Sequence, residues 1–318
     1  MAKAPRILVL MATFNGQSYL AEQLDSILCQ EGVDVTLRIS DDCSTDNTFR
    51  ILETYASEHA NIEIIYNTQN KGALRNFMDL VYDAPADEYD YFAIANQDDV
   101  WHLDKLAAAA AHISANTSRA ELYYAGVTDV DEQGSVLGNE YLPYEVCADH
   151  TGSLLLVQNW CLGCTMLMNG ALIKLLRQHP VYDFERTYDA WIHAVALYCG
   201  GYVYCDLRHS YVDRRITDSN TVGNMNEGRS RESIAKKATR EPGHGAPETS
   251  EKYTKMALAL LREYKQEMDS DTAKLVEAVA ARRESGKARR FLFRRRDIMM
   301  TTNVHTTRLR WMVLLNKF

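Results

Sequence analysis

Long apolar segments are missing from this chain of 318 residues. The longest uncharged stretch, residues 151–173, is interrupted by amide side chains and glycines, whereas a membrane-spanning helix needs about 20 predominantly apolar residues. The apolar run at residues 7–12 is too short for the core of an export signal. We therefore expect a cytoplasmic protein, and its 46% hydrophobic and 25% charged residues exclude a disordered or fibrous chain.

A disulfide framework is missing too. The seven cysteines are an odd number and are scattered along a long chain. Cys161 and Cys164 form a CxxC pair, but no second pair lies at a spacing that would complete a zinc site. The nine histidines include no HExxH motif. These patterns predict packed free thiols instead of redox or zinc chemistry.

Two common phosphate-binding motifs are absent as well. No GxGxxG follows the first apolar run, and neither GxxxxGKS nor GxxxxGKT occurs in the chain. Their absence argues against a dinucleotide-binding Rossmann enzyme and against a P-loop NTPase. A nucleotidyltransferase should carry a glycine-rich, basic loop after its first strand, and residues 13–16 (TFNG) are not such a loop.

The first hundred residues instead alternate between strand and helix patterns. Short runs typical of buried parallel strands occur at residues 6–12, 33–39, 62–65 and 91–95, and helical spacing separates them. Strands joined through helices form right-handed βαβ units in a mostly parallel sheet. The fold class predicted is α/β, with a Rossmann-like sheet flanked by helices.

The rest of the chain is less regular. Strands are expected at residues 121–125 and 202–205, with another entered through 153–169, and helices at 107–111 and 189–198. Residues 229–250 are polar and contain two prolines, which indicates a linker or mobile loop. Two helices are expected near 251–268 and 271–284. We therefore divide the chain into a domain at 1–228, the linker at 229–250, and a helical C-terminal region at 251–318.

The net charge of −8 hides a strong asymmetry. Residues 282–318 carry +9 and the preceding residues carry −17, which points to an anionic partner for the C-terminal region. Arginines alternate with aromatic and aliphatic residues at 289–296 and 308–315, as in amphipathic segments that lie on anionic membranes. Alternatively, these residues form the solvated face of helices packed on the domain. Nucleic-acid binding is disfavoured because the body is acidic.

Three polar segments stand where predicted strands end: residues 13–16 (TFNG), 40–46 (SDDCSTD) and 96–99 (NQDD). One such segment alone is often only a turn. Three of them at the carboxyl edge of one parallel sheet predict a ligand site. Carboxylates next to a diphosphate require a bridging divalent cation, and hard oxygen ligands suit Mg²⁺ or Mn²⁺.

These segments together resemble the family-2 glycosyltransferases. The resemblance lies in residues 12–16 (ATFNG), 41–46 (DDCSTD) and 97–101 (QDDVW), extends to 188–191 (YDAW), and covers 215–223 and, loosely, the basic C-terminal region. It implies the GT-A fold and a nucleotide-diphosphate sugar as donor. The QDDVW form is similar to that of bacterial rhamnosyltransferases that build cell-wall or capsular polysaccharides.

The resemblance also implies roles for individual residues. Asp99 matches the metal ligand and Asp189 the general base, although the first acid of an apolar helix can also be a mere helix-terminal charge. Asp42 matches the acid that binds the pyrimidine base. The expected contacts to the nucleotide sugar come from seven residues: Thr13, Asn15, Asp42, Lys71, Asp98, Gly163 and Arg215.

Two positions depart from the family pattern. Asn96 stands where many relatives have an acid, and Thr217 replaces a histidine. If that histidine helps to hold metal or diphosphate, metal binding should be weaker here. Arg214 or Arg215 would then neutralise the diphosphate charge as a guanidinium clamp.

The sequence thus predicts an inverting glycosyltransferase that depends on Mn²⁺ or Mg²⁺. The expected reaction transfers L-rhamnose from dTDP-rhamnose to a lipid-linked saccharide, with the protein peripheral at the inner face of the cell membrane. UDP-galactose, UDP-glucose or UDP-GlcNAc are alternative donors. A non-catalytic nucleotide-sugar-binding or scaffold protein on the same fold is an alternative of another class.

Overall fold

A computed structural model describes residues 3–138, 159–184, 186–217, 246–295, 297–298 and 303–316. The strands within these residues form one mixed sheet in the order β3-β2-β1-β4-β8-β6-β9-β5, and β7 pairs with β6. The strands are β1 (Arg6–Thr13), β2 (Asp34–Asp41), β3 (Ile62–Tyr66), β4 (Tyr91–Ala95), β5 (Val100–Trp101), β6 (Glu121–Val130), β7 (Val136–Gly138), β8 (Leu167–Asn169) and β9 (Tyr202–Arg215). The α/β fold class predicted is confirmed.

The first four strands follow the predicted alternation. β1 lies between β2 and β4, and β3 pairs with β2; all three pairings are parallel. The connecting helices are α1 (Leu20–Leu28), α2 (Thr48–Glu58) and α3 (Ala73–Asp83). Helices cover both faces of the sheet, so residues 7–11 of β1 are fully buried and belong alternately to two hydrophobic clusters. This explains why β1 is apolar without alternation.

The second half of the sheet places β9, which is distant in sequence, next to the segment that follows β4. β8 runs antiparallel to both β4 and β6, while β9 is parallel to β6. β5 pairs antiparallel with the end of β9, with Val100 opposite Asp213 and Trp101 opposite Val212. As a result, the polar segment that precedes β5 lies beside the last residues of β9.

A bulge in β9 precedes the residues that pair with β5. Ala125 of β6 is opposite Asp206, but the next residue, Gly126, is opposite Ser210, so residues 207–209 bulge out of the ladder. A β-carbon at Gly126 would lie 3.0 Å from the carbonyl oxygen of His209, and only glycine leaves room for the bulged backbone. Bulges increase local twist, which curls the end of β9 over the sheet edge.

The remaining helices pack on both faces of the sheet. They are α4 (Lys105–Ala110), α5 (Gly170–Gln178), α6 (Tyr188–Tyr198), α7 (Ala246–Tyr264), α8 (Ser270–Ala281), α9 (Gly286–Arg294) and α10 (Asn303–Leu314). Tyr264 of α7 packs against Trp191 of α6 with ring centroids 6.0 Å apart, and residues of α6 to α10 share one core cluster. The C-terminal helices therefore pack on the α/β layer. None of the described helices combines the length and apolarity that crossing a membrane requires.

Several boundaries differ from those expected. α7 begins at Ala246, inside the range expected to be a linker, and the other residues of that range, 229–245, lie outside the described part. β6 and β9 continue to Val130 and Arg215, well past the predicted strand ends. Their outer halves are rich in polar residues, and they are strands because they pair with each other, which local sequence patterns do not reveal. α5, β5 and β7 were not predicted.

Candidate functional site

The first and third polar segments are tied together by one glutamine. Gln97 Oε1 accepts hydrogen bonds from Thr13 Oγ1 at 2.7 Å and from the Phe14 backbone N–H at 2.9 Å, while Gln97 Nε2 donates to the Phe14 carbonyl at 3.2 Å. A β-carbon at Gly16 would lie 2.7 Å from Gln97 Oε1, so the glycine permits this close approach. The loop after β1 therefore has a fixed position relative to the aspartates after β4.

Asn15 joins the first polar segment to the second. It has a φ of 50°, a left-handed conformation that asparagine tolerates better than most residues. Its Oδ1 accepts a hydrogen bond from the Thr45 backbone N–H at 2.8 Å, and its own backbone N–H donates to Ser44 Oγ at 2.8 Å. Phe14 beside it is 44% exposed, which leaves an aromatic surface at this edge.

Asp42 and Lys71 are brought together through the backbone of Lys71. The Asp42 carboxylate is 3% exposed and accepts from the backbone N–H groups of Lys71 (2.9 Å) and Gly72 (2.8 Å) and from Asn67 Nδ2 (3.0 Å). The Lys71 N–H is shared with the second carboxylate oxygen at 3.1 Å, so four hydrogen bonds occupy the roughly four acceptor positions of the carboxylate. The Lys71 ammonium group instead pairs with Asp79 at 2.9 Å.

Asp99 presents a buried oxygen atom without a partner. The residue is 1% exposed, and its Oδ2 accepts from Asn96 Nδ2 at 3.0 Å, whereas Oδ1 has no hydrogen-bond partner among the described residues. Burial, and then the charge of Asp98, raise the pKa of Asp99 to about 7. An unpartnered carboxylate oxygen of this kind fits a divalent cation, which would supply the missing positive charge.

Other groups around Asp99 limit how a cation would be held. The described residues contain no group of three or more His, Cys, Asp or Glu side chains placed to bind a metal. Mg²⁺ and Mn²⁺ are often held by one or two carboxylates, substrate phosphates and water. Lys105 is buried nearby with its ammonium 3.5 Å from the Trp101 ring centroid, and burial lowers the pKa of Lys105 to about 7. The role of Asp99 as a metal ligand, completed by donor phosphates and water, therefore stays a prediction.

Arg215 holds three segments of the protein together. It is 3% exposed, and its guanidinium donates to Glu22 at 2.6 Å, to the Glu132 carbonyl at 2.7 Å and to the Asp98 carbonyl at 3.2 Å. Arg215 therefore binds the backbone carbonyl of Asp98. Asp98 is half-buried, and burial raises the pKa of its carboxyl. In these contacts Arg215 fixes the turn that carries Asp98. A direct contact with diphosphate stays a prediction.

Asp189 and Gly163 meet at the start of α6. The Asp189 carboxylate is 8% exposed and accepts from Thr187 Oγ1 and from the Ala190 backbone N–H at 2.6 Å. Burial raises the pKa of Asp189, and hydrogen bonds from Thr187, Ala190 and the backbone of Gly163 oppose that shift. A β-carbon at Gly163 would lie 2.2 Å from the Tyr188 hydroxyl oxygen, so only glycine fits there. The carboxylate is desolvated, and a raised pKa suits a proton acceptor.

Sequence reasoning missed three residues of this region. Gln97 and Tyr188 stand inside recognised motifs, but the contacts they make with other segments left no local signal. Lys105 follows the aspartate pair, and nothing in the local sequence indicated that it is buried. Trp191 is fully buried against Phe184. Six cysteines are free thiols, of which Cys161, Cys164 and Cys199 are buried as expected and Cys29 is exposed; Cys147 lies outside the described residues.

Comparisons of sequence with known proteins match parts of this chain. Residues 8–140 match the sequence model described as "Glycosyl transferase family 2". The dTDP-rhamnosyl transferase RfbG of Shigella flexneri is 44% identical over 101 residues, which are 31% of this chain and 35% of the relative. The abequosyltransferase RfbV of Salmonella typhimurium is 36% identical over 115 residues, which are 35% of this chain and 32% of the relative. These matches span about a third of each relative's length.

Solved structures share the fold over a longer range. The structure of residues 1–349 of Staphylococcus aureus TarS in complex with UDP-GlcNAc superimposes with a TM-score of 0.60 at 14% identity. The superposition covers 98% of this chain and 88% of that one. The likeness of fold therefore extends well beyond the residues that match the family model.

Proposed function

Since residues 8–140 form a glycosyltransferase family 2 domain on a chain with the GT-A fold, we propose that this protein is an inverting, metal-dependent glycosyltransferase. The observation that carries the proposal is a pair of buried carboxylates with different surroundings, which the contact between Asn96 and Tyr188 connects. Asp99 has an unpartnered oxygen suited to a cation, and Asp189 is held by hydrogen bonds at a helix start. A non-catalytic protein on this fold would have no need for either arrangement.

The reaction forms one bond and breaks one. The acceptor hydroxyl oxygen bonds to the anomeric carbon of the donor as the bond from that carbon to the diphosphate oxygen breaks. Asp189 takes the hydroxyl proton, and the nucleoside diphosphate leaves with the bonding electron pair. A single displacement of this kind inverts the anomeric configuration. Asp99 would hold Mn²⁺ or Mg²⁺, which would supply Lewis acidity toward the departing diphosphate.

The nucleotide portion of the donor lies against the loops after β1 and β2. Asp42 is the acceptor proposed for the imino N–H of a pyrimidine, and Thr13 and Asn15 shape the adjoining loop. Contacts of the donor with Lys71, Asp98, Gly163 and Arg215 are also part of the proposal.

The proposed donor is dTDP-L-rhamnose. Its support is the identity of 44% over 101 residues to a relative named as a dTDP-rhamnosyl transferase. RfbV is named for another deoxysugar, abequose, which agrees with a deoxyhexose donor in general. UDP-galactose, UDP-glucose and UDP-GlcNAc are the competing donors. TarS, which was solved with UDP-GlcNAc, shares the fold at only 14% identity and does not favour that sugar.

A panel of nucleotide sugars tests the donor. We expect dTDP-L-rhamnose with Mn²⁺ to raise the unfolding temperature most, and to be hydrolysed slowly without acceptor. The panel includes dTDP alone, UDP-galactose, UDP-glucose and UDP-GlcNAc. Stronger stabilisation and hydrolysis with a UDP-sugar would replace the rhamnose assignment and keep the transferase. No response to any nucleotide sugar would favour the scaffold alternative.

The acceptor is proposed to be a lipid-linked saccharide of cell-wall or capsular polysaccharide synthesis, reached at the inner face of the membrane. Lys287, Arg290 and Arg294 recur at helical spacing along α9, and all three are exposed. Trp311 of α10 is 51% exposed and contacts Phe293 at a centroid distance of 5.2 Å. A basic row beside an exposed tryptophan suits anionic headgroups.

Neutralising this basic row should weaken vesicle binding. A variant with Lys287→Gln, Arg290→Gln and Arg294→Gln should lose about 1 kcal/mol of membrane affinity per residue at low salt, because each charge near an anionic surface contributes about that much. Co-sedimentation with phosphatidylglycerol vesicles measures it. Three exposed lysines elsewhere, Lys174, Lys252 and Lys274, replaced by glutamine, give a control of equal charge. An equal loss of vesicle binding in both variants would show that the attraction is nonspecific and would overturn the assignment of this surface.

A further inference from the structure

The amide of Asn96 connects the two carboxylates that the proposed reaction needs. Its Nδ2 donates to Asp99 Oδ2 at 3.0 Å, and its Oδ1 accepts from the hydroxyl of Tyr188 at 3.4 Å. Tyr188 is the first residue of α6 and directly precedes Asp189. One side chain therefore links the carboxylate after β4 to the helix start that carries the other carboxylate.

An amide suits this place in a way that a carboxylate does not. Asparagine has a donor end and an acceptor end, so it can serve Asp99 and Tyr188 at the same time. An ionised acid could accept from Tyr188, but it would have no hydrogen to donate to Asp99. It would also add a like charge beside Asp98 and Asp99. Asn96, which departs from the family pattern, thus provides an acceptor for the Tyr188 hydroxyl without adding a charge.

The ring of Tyr188 is held on both sides. It stacks on Phe77 of α3 with centroids 4.1 Å apart, and Gly163 approaches its hydroxyl so closely that no side chain fits at that position. Burial raises the pKa of the Tyr188 hydroxyl, which therefore stays protonated and acts as a donor toward Asn96. With the ring immobilised, the hydroxyl has a defined position next to the Asn96 carbonyl oxygen.

We propose that Asn96 and Tyr188 are positioning residues whose hydrogen-bonded bridge orients Asp99 toward its cation and keeps it in register with Asp189. Asn96 occupies Asp99 Oδ2 and leaves Oδ1 for the cation. Tyr188 fixes the amide and, through α6, the neighbouring Asp189. This inference rests on the proposed function as far as transfer is concerned, but the orientation of Asp99 can be measured without transfer.

A double-mutant cycle tests the bridge. The variants are Tyr188→Phe, which keeps the ring and loses the hydroxyl, Asn96→Ala, and the combination. Titration with Mn²⁺ in the presence of dTDP, followed by the electron paramagnetic resonance signal of free Mn²⁺, gives the affinity directly. We expect Tyr188→Phe to weaken Mn²⁺ about threefold and to lower kcat about tenfold with an unchanged donor KM, from the loss of one hydrogen bond and of alignment.

The decisive comparison is the effect of Tyr188→Phe when Asn96 is already alanine. The bridge predicts no further loss in Mn²⁺ affinity, because the hydroxyl then has no amide to hold. Tyr55→Phe is the matched control, because the Tyr55 hydroxyl donates from α2 to Asp25 of α1 at 2.7 Å. Its loss should change neither the Mn²⁺ affinity nor kcat. Additive losses, or an unchanged Mn²⁺ affinity in Tyr188→Phe, would overturn the proposal. If the wild type binds Mn²⁺ but transfers no sugar, the proposed function fails while the titrations still decide the bridge.

Discussion

Replacing Asp189 with asparagine is expected to slow sugar transfer by about 10² to 10⁴, the range for loss of a general base. The amide keeps the shape of the carboxylate and can still accept from Thr187 and from the Ala190 backbone N–H. It has no basic oxygen to take the acceptor proton. Donor binding should barely change, because Asp189 acts on the acceptor. Single-turnover transfer and donor titration of the same variant separate the two effects.

The pH profile provides a second reading of Asp189. Because burial raises the pKa of this carboxyl, its ionised fraction falls at a higher pH than for an exposed aspartate. Transfer by the wild type should therefore decline as the pH falls through that raised pKa and level off above it. The control Asp183→Asn removes a largely exposed carboxylate that pairs with Arg262, and it should leave the rate unchanged. Normal turnover by Asp189→Asn, or a product with retained anomeric configuration, would falsify the mechanism.

Replacing Asp99 with alanine should lower transfer by about 10² to 10³ and abolish its stimulation by Mn²⁺. The site has few metal ligands, so the loss of one carboxylate is not compensated by others. The fold should persist, since Asp99 accepts one hydrogen bond and its burial is unfavourable to the ionised form. Mn²⁺ titration, the rate of transfer and the unfolding temperature are the three measurements.

Asp104→Ala serves as the comparison for Asp99. It removes an exposed aspartate five positions later in the same segment and should alter neither Mn²⁺ affinity nor rate. If Asp99→Ala retains most of its activity with Mn²⁺ present, the metal assignment is wrong. A variant that loses both structure and activity would instead assign Asp99 a role in stability.

The parts of the structure that were predictable are those specified locally. Apolar runs and helical spacing give β1 to β4 and their helices, and the parallel-sheet rule places Thr13, Asp42 and Asp99 at one edge. The long-range parts were not predictable. Arg215 pairs with Glu22 across 193 positions, and the Tyr188 to Asn96 contact spans 92. Such contacts depend on side-chain geometry in the finished fold, and the residue types alone do not specify them.

The pairing of β5 with the end of β9 has a consequence for how the protein matures during synthesis. The turn with Asp98 and Asp99 is braced by a strand that ends at Arg215, more than 100 residues later in the chain. Chains grow from the N-terminus at about 5 to 20 residues per second, so β1 to β4 leave the ribosome seconds before β9 does. Closing so long a loop is also slow relative to local structure formation. In a nascent chain, β1 to β4 can therefore pair before the turn with Asp98 and Asp99 is braced. The site at this turn is complete only after β9 has been added to the sheet.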